Sequence, residues 1–374
     1  MKEDTFKCNI VTLIITAFIT GLAIDSFSPF FSLYMSFIGV SLVGIGLVYA
    51  VSDAIKTIFQ PFSGFLADNY NTKTLLVAAL FMETLAYIVY LFAKNTTHVI
   101  FGILLFSLGL SVASPSFFKL VSENISEKRL GSAFGILFSL SNISEVLGPI
   151  IGGALLGILF YNNYRLLLTY TIALMIIGTI ILHAFLRPKP AVRERSEIGV
   201  RNALKEFIRN FVKSGTKILP IALVVSLISF IPSAFFPFIP LYLKELNLPL
   251  ALIGLTFSIR NGISLILSPL AGGLSDKLGR INVILLVSIT NACAFTILLL
   301  SRNILLACLA VILLSVNFTL YPVVSALIAA IGGEQKGQMI GIFNAILSFV
   351  LIPSCYIGGY IVEKLAYNML FFAG

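Results

Sequence analysis

The chain has 374 residues, of which 58% are hydrophobic and only 11% charged, with a formal net charge of +9. So little polar surface cannot cover a water-soluble globule of this length, which excludes an ordinary soluble domain and points to a protein embedded in lipid. The basic residues gather on one side of the predicted spans, so the positive charge reads as a topology signal and a nucleic-acid partner is not expected.

Apolar runs of about 20 residues, the length a helix needs to cross about 30 Å of hydrocarbon, predict spans over 9–37, 42–65, 74–93, 98–121, 130–160 and 166–186. Five more follow over 218–243, 250–270, 281–300, 304–331 and 337–362. Their length and continuity exclude barrel strands, which would alternate over about 10 residues. The first run is too long for a cleaved signal and reads as a retained span. Asp25 lies in it, one turn before Pro29. The second span carries Asp53 and Lys56, three apart on one helix face, the spacing of a local ion pair. Glu83 lies in the third span, Glu145 in the fifth and Arg260 in the eighth. A charge at the centre of a spanning helix costs about 2.5–3.5 kcal/mol on insertion scales and is rarely left facing lipid. Asp25, Asp53, Lys56, Glu145 and Arg260 are therefore the candidate proton or substrate residues. Glu83 is assigned a buried hydrogen bond to a neighbour. Lys119 and His183 fall near helix ends, where snorkelling explains them.

Two prolines in Arg187-Pro-Lys-Pro190 stop the sixth span. Beyond them Arg201, Lys205, Arg209 and Lys213 recur every four residues while Leu204, Phe207, Ile208 and Phe211 take another face. This is the pattern of a basic amphipathic helix lying on a membrane surface, here a linker over 188–216 between a half at 1–187 and a half at 217–374. One side of the spans holds Lys2, Lys7, Lys73, Lys128, Arg129, the nine basic residues over 187–217, Lys277, Arg280 and Lys336. The other side holds only Lys94, Arg165, Lys244, Arg302 and Lys364. Cytoplasmic loops carry the basic excess, so the N-terminus and central loop are expected in the cytoplasm. Cys8, Cys293, Cys308 and Cys355 all lie in or beside spans, and no disulfide framework is expected.

The two halves are copies. Pro29, Phe30, Leu33, Tyr34, Gly46, Pro61, Gly64, Leu66 and Asp68 return 208 positions later as Pro237, Phe238, Leu241, Tyr242, Gly254, Pro269, Gly272, Leu274 and Asp276. A second register, 206 positions long, links Gly131, Gly135, Gly152 and Gly153 to Gly337, Gly341, Gly358 and Gly359. Duplicated halves in lipid are a common plan of secondary transporters. In the same register Tyr161-Asn162 matches Tyr367-Asn368, so a twelfth span would begin near 372, and eleven full spans with the start of a twelfth are expected.

Gly272-Gly-Leu-Ser-Asp-Lys-Leu-Gly-Arg280 resembles the G-x-L-x-D-x-x-G-R loop that joins the second and third helices in each half of the major facilitator superfamily. Its first-half copy starts at Gly64 and Asp68 and departs at Asn71 and Thr72, where glycine and arginine would stand. The resemblance covers the whole chain. It implies an all-α fold of two pseudo-symmetric six-helix halves that rock about a central site, with Gly64, Asp68, Gly272, Asp276, Gly279 and Arg280 in conformational latch loops. Ser144-Glu-Val-Leu-Gly-Pro-Ile-Ile-Gly-Gly153 is similar to the G-x-x-x-G-P-x-x-G-G motif of the drug:proton antiporters, with Ser144 in place of the first glycine. Pro149 bends that span while Gly148, Gly152 and Gly153 flatten one side of it. The fourth span lacks the mid-membrane arginine common in those antiporters.

The expectation is a proton-coupled exporter of amphipathic compounds in the plasma membrane, acting as a monomer on a small-molecule substrate with a proton or another cation as its partner. Asp25 would carry the proton, because the first helix lines the cavity in this superfamily. Glu145 and Arg260 both fall near the midplane at 1.5 Å per residue, and the facing of the fifth and eighth helices in the family makes an ion pair between them available. Thirty-two Phe and thirteen Tyr with no Trp fit an aromatic-lined cavity. A sugar or organic-acid permease and a non-transporting receptor on the same fold are the alternatives. No nucleotide loop, catalytic constellation or metal cluster stands in the sequence, so no enzyme, cofactor or metal is expected.

Overall fold

A computed structural model describes residues 2–124, 142–187, 200–332 and 336–374, and among them the chain is helical without strands. Among the described residues, eleven helical stretches are long and apolar enough to cross a membrane. The first six are Asn9–Phe37, Leu42–Phe59, Thr72–Phe92, Thr96–Val121, Asn142–Leu159 and Tyr164–Phe185. The other five are Ile218–Glu245, Leu250–Ser275, Arg280–Leu300, Ile304–Ser325 and Ile342–Leu365. Residues 130–141 of the expected fifth span lie outside the described residues. The basic stretch and the seventh span share one helix, Val200–Phe235, so no break separates residues 201–217 from the span. A short helix, Tyr367–Ala373, follows the eleventh span.

Local chemistry explains the interruptions. Pro29 and Pro237 lack an N–H and crowd the preceding turn, and each sits in a 3-10 turn, Ser28–Phe30 and Phe236–Phe238. The tenth span tightens without proline over Leu314–Thr319. There Asn317 Nδ2 donates to the Leu314 carbonyl at 3.1 Å and Thr319 Oγ1 to Val316 at 2.7 Å, so polar side chains bond the backbone three residues back. The sixth span stops at Phe185, and its open end is closed by two other helices. Asn9 exchanges two hydrogen bonds with the Arg187 backbone, and Lys73 Nζ reaches the Leu186 carbonyl at 2.7 Å.

The chain forms two compact units. The first comprises Met1–Phe31 and Val51–Asn202, the second Ser32–Ala50 and Ala203–Gly374. In the first unit the third and fourth spans meet where Glu83 lies on Gly109 and Tyr90 on Gly102. In the second, Ile218, Ala222 and Val225 form one cluster with Val324, Ile328, Ile342, Phe343 and Ile346. A ring cluster of Phe235, Tyr242, Phe295 and Phe371 seats the last short helix, with Phe235 and Tyr242 each 5.0 Å from Phe371. The segment Ser32–Ala50 joins this unit through close backbone contacts: a Cβ on Gly46 would overlap the Cys355 carbonyl, and one on Gly359 would meet that of Leu42. Glu363 adds its carboxylate, which accepts from the Val43 N–H at 2.9 Å. Close approach at small residues is the main packing device available to helices in lipid.

Candidate functional site

In the first unit the candidate site is the seam between the first and fifth spans. Gly148 and Gly152 leave no room for a side chain: a Cβ on Gly148 would strike Asp25, and one on Gly152 the Ser26 carbonyl. This clearance sets Ser144, one turn earlier on the fifth span, against Asp25, and its Oγ donates to Asp25 Oδ2 at 2.7 Å. Gly21 gives the same hydroxyl its space on the first span. Asp25 is half-buried, and the charge of Glu145, which lies exposed beside Ser144, is felt at Asp25. A hydroxyl both donates and accepts, so Ser144 can serve Asp25 with or without a proton on the carboxyl.

A second carboxylate lies deeper. Glu83 is 2% exposed, and Tyr87, one turn on, lies within electrostatic reach of both Glu83 and Asp25. The ring of Tyr87 packs edge-on to Phe27 at 5.9 Å. Asp53 and Lys56 pair with each other at 3.1 Å with about two-fifths of each side chain exposed, so their charges are satisfied locally. Beside them on the second span, Ser52 hydrogen-bonds Ser107 of the fourth at 2.9 Å, both buried.

In the second unit the prominent group is Arg260. It is 6% exposed, and its guanidinium carbon lies 5.2 Å from the Phe236 ring centroid, 6.0 Å from Phe257 and 4.9 Å from Phe318. Its Nε is buried without a hydrogen-bond partner among the described residues, as are the hydroxyls of Ser258 and Ser315. Asn291 and Asn317 exchange amide hydrogen bonds at 2.9 and 2.7 Å between the ninth and tenth spans.

The sequence-derived candidates thus fall into three groups. Asp25 and Glu145 come together with Gly148, Gly152 and Ser144, Asp53 pairs with Lys56, and Arg260 stands in an aromatic cage of the other unit. In the latch loops, the side chains of Asp68 and Asp276 lie outside the described residues. Gly279 takes φ +88° between the eighth and ninth spans, a value that favours glycine. The first-half turn is built differently, with Asn71 in extended backbone and its Oδ1 accepting from the Lys73 and Thr74 N–H groups. Among the described residues, no atom lies within 4 Å of a Cβ placed on Gly64. Sequence reasoning missed Tyr87, the serine pair and the three rings around Arg260. The 208-residue register was the available signal for part of this, since it aligns Ser52 with Arg260 and Ser107 with Ser315. Among the described residues no cluster of three or more potential metal ligands occurs.

The sequence matches the Major Facilitator Superfamily over residues 13–352. An uncharacterized MFS-type transporter of Methanocaldococcus jannaschii is 22% identical over 367 residues, covering 96% of this chain and 92% of that protein. The multi-drug resistance efflux pump PmrA of Streptococcus pneumoniae is 26% identical over 289 residues, 75% of this chain and 70% of the pump. Among solved structures, the nucleoside transporter NupG superposes with a TM-score of 0.81 at 14% identity, over 98% of this chain and 95% of that one.

Proposed function

The chain belongs to the major facilitator superfamily, and from that premise we propose that it exports small amphipathic compounds across the plasma membrane in exchange for protons. The observation that carries this reading is the Asp25–Ser144 hydrogen bond at 2.7 Å, held where Gly148 and Gly152 of the antiporter-like stretch press on Asp25 and Ser26. A carboxylate within a membrane span is costly to keep charged, and binding a proton relieves that cost while the Ser144 hydroxyl can serve either form. The Asp25 carboxyl lies on the packing seam, so gaining or losing a proton changes the contact that the first span makes with the fifth, and such a differential interaction is what coupling requires. Efflux is named in relatives such as PmrA, which supports the direction. In this reading residues 1–187 and 217–374 act as the two moving domains of a monomer, with the N-terminus and the 188–216 linker in the cytoplasm.

The test is transport in inverted membrane vesicles and proteoliposomes under an imposed pH gradient, with an amphipathic cation, an amphipathic anion and a sugar as probes. Accumulation of an amphipathic probe driven by an acidic vesicle interior, and lost when the gradient is collapsed, is the expected result. Movement of the sugar alone would replace the reading with a permease. No movement of any probe under any gradient would replace it with a receptor on the same fold.

A further inference from the structure

We infer that Arg260, with Phe236, Phe257 and Phe318, forms a binding site for the anionic head of an aromatic organic compound, such as an aryl carboxylate or sulfonate. This names the charge of the cargo within the export reading and rests on it. A guanidinium has two recognition surfaces: its faces take aromatic rings, and its edge carries five N–H donors in a planar fork that matches a carboxylate or sulfonate. Here the rings take up the first, at 4.9–6.0 Å. The second is not used up, because Nε is buried without a partner among the described residues. Phe236 and Phe318 are 37% and 46% exposed while Arg260 is 6% exposed, so the cation lies beneath rings that remain free to receive an apolar body.

The duplicated half supplies an internal control. At the first-half positions equivalent to Arg260 and Ser315 stand Ser52 and Ser107, and these bond each other at 2.9 Å and satisfy the site from within. In the second half the first serine is replaced by arginine, and the Ser315 hydroxyl is left buried and unbonded. Ser315 and Phe318 lie in the 3-10 stretch Leu314–Thr319 of the tenth span, and helix interruptions of this kind recur at functional positions. Where the first half has a closed hydroxyl pair, the second has a guanidinium Nε and a hydroxyl that are both buried and unbonded among the described residues, groups an anion would satisfy.

The test uses the full-length protein in detergent with 2-naphthoate and its cationic counterpart 2-naphthylmethylammonium, followed by calorimetric titration. Wild type is expected to bind the naphthoate at least tenfold more tightly than the ammonium compound. Arg260→Gln should abolish that preference, Arg260→Lys should keep the charge but lose several-fold through the missing fork, and Phe318→Leu should lose several-fold for naphthoate. Equal binding of the two compounds to wild type, no binding of naphthoate, or unchanged naphthoate binding by Arg260→Gln would each overturn the site. Should Arg260→Gln fail to fold, the wild-type comparison and Phe318→Leu decide. Flux is read separately in proteoliposomes. Naphthoate binding that depends on Arg260 without flux of any probe upholds the site and removes the export reading. Export of an amphipathic cation with no naphthoate binding does the reverse.

Discussion

The two halves share a frame and divide the charges between them. The same contacts recur in both: Phe27 packs edge-on to Tyr87 at 5.9 Å as Phe235 does to Phe295 at 6.0 Å, and Gly152 presses on the Ser26 carbonyl as Gly358 does on that of Ala234. The polar positions on that frame differ. Where the first half has Asp25 the second has Ser233, which bonds Ser354 at 3.0 Å; where the second has Arg260 the first has Ser52. The third and fourth helices show the same divergence, with Glu83 on Gly109 in one half and the Asn291–Asn317 amide pair in the other. Backbone packing is what duplication has kept, and ionisable side chains are where the copies have specialised, an acid in one half and a cation in the other.

That division can be broken most directly at the acid. Asp25→Asn is expected to reduce gradient-driven accumulation to background while leaving probe binding measurable, whereas Ser233→Ala at the equivalent position leaves coupling intact. Vesicle uptake with and without the pH gradient measures both, and wild-type accumulation by Asp25→Asn would move the proton elsewhere. The shared frame is probed next. Gly152→Val and Gly358→Val should each lower stability by about 1–3 kcal/mol through overpacking against a carbonyl, read as thermal unfolding in detergent. Gly64→Ala, with no described atom near its Cβ position, should change stability by less than about 1 kcal/mol. A cost at Gly152 without one at Gly358 would mean that the frame is less symmetric than its contacts.

Asn317→Ala strands the Asn291 amide and should cost about 1–3 kcal/mol. At Gly109, the equivalent first-half position, Gly109→Ala is instead expected to destabilise by crowding Glu83 and the Ala79 carbonyl. The smallest effect belongs to the Asp53–Lys56 pair. With both groups about two-fifths exposed, Lys56→Gln should cost no more than about 1 kcal/mol and leave transport near wild type. A large loss of transport with intact stability would give the Asp53–Lys56 pair a part in transport.

The spans, the duplication and the seam residues were legible because each is a local or periodic signal: apolar length, prolines repeated in register, glycines spaced on one face. Even the departure at Asn71 was readable, and its physical meaning is a change from a glycine turn at positive φ to a side-chain cap. The aromatic cage was not legible. Phe236, Phe257 and Phe318 come from three spans, and their counterparts Ser28, Tyr49 and Leu110 give no common pattern. With 32 phenylalanines in the chain, no composition argument selects these three.

The segment Ser32–Ala50 has a consequence for how the protein is made. Its Val43 N–H is held by Glu363, 320 residues further along the chain. At translation rates of about 5–20 residues per second, the turn between the first two spans waits roughly 15–60 s before its cover exists. Through that interval the Val43 N–H and the Gly46 backbone await the partners they hold in the folded protein. The second unit is therefore incomplete until the eleventh span is made, and a lesion in that span would be felt by a segment inserted up to about a minute earlier.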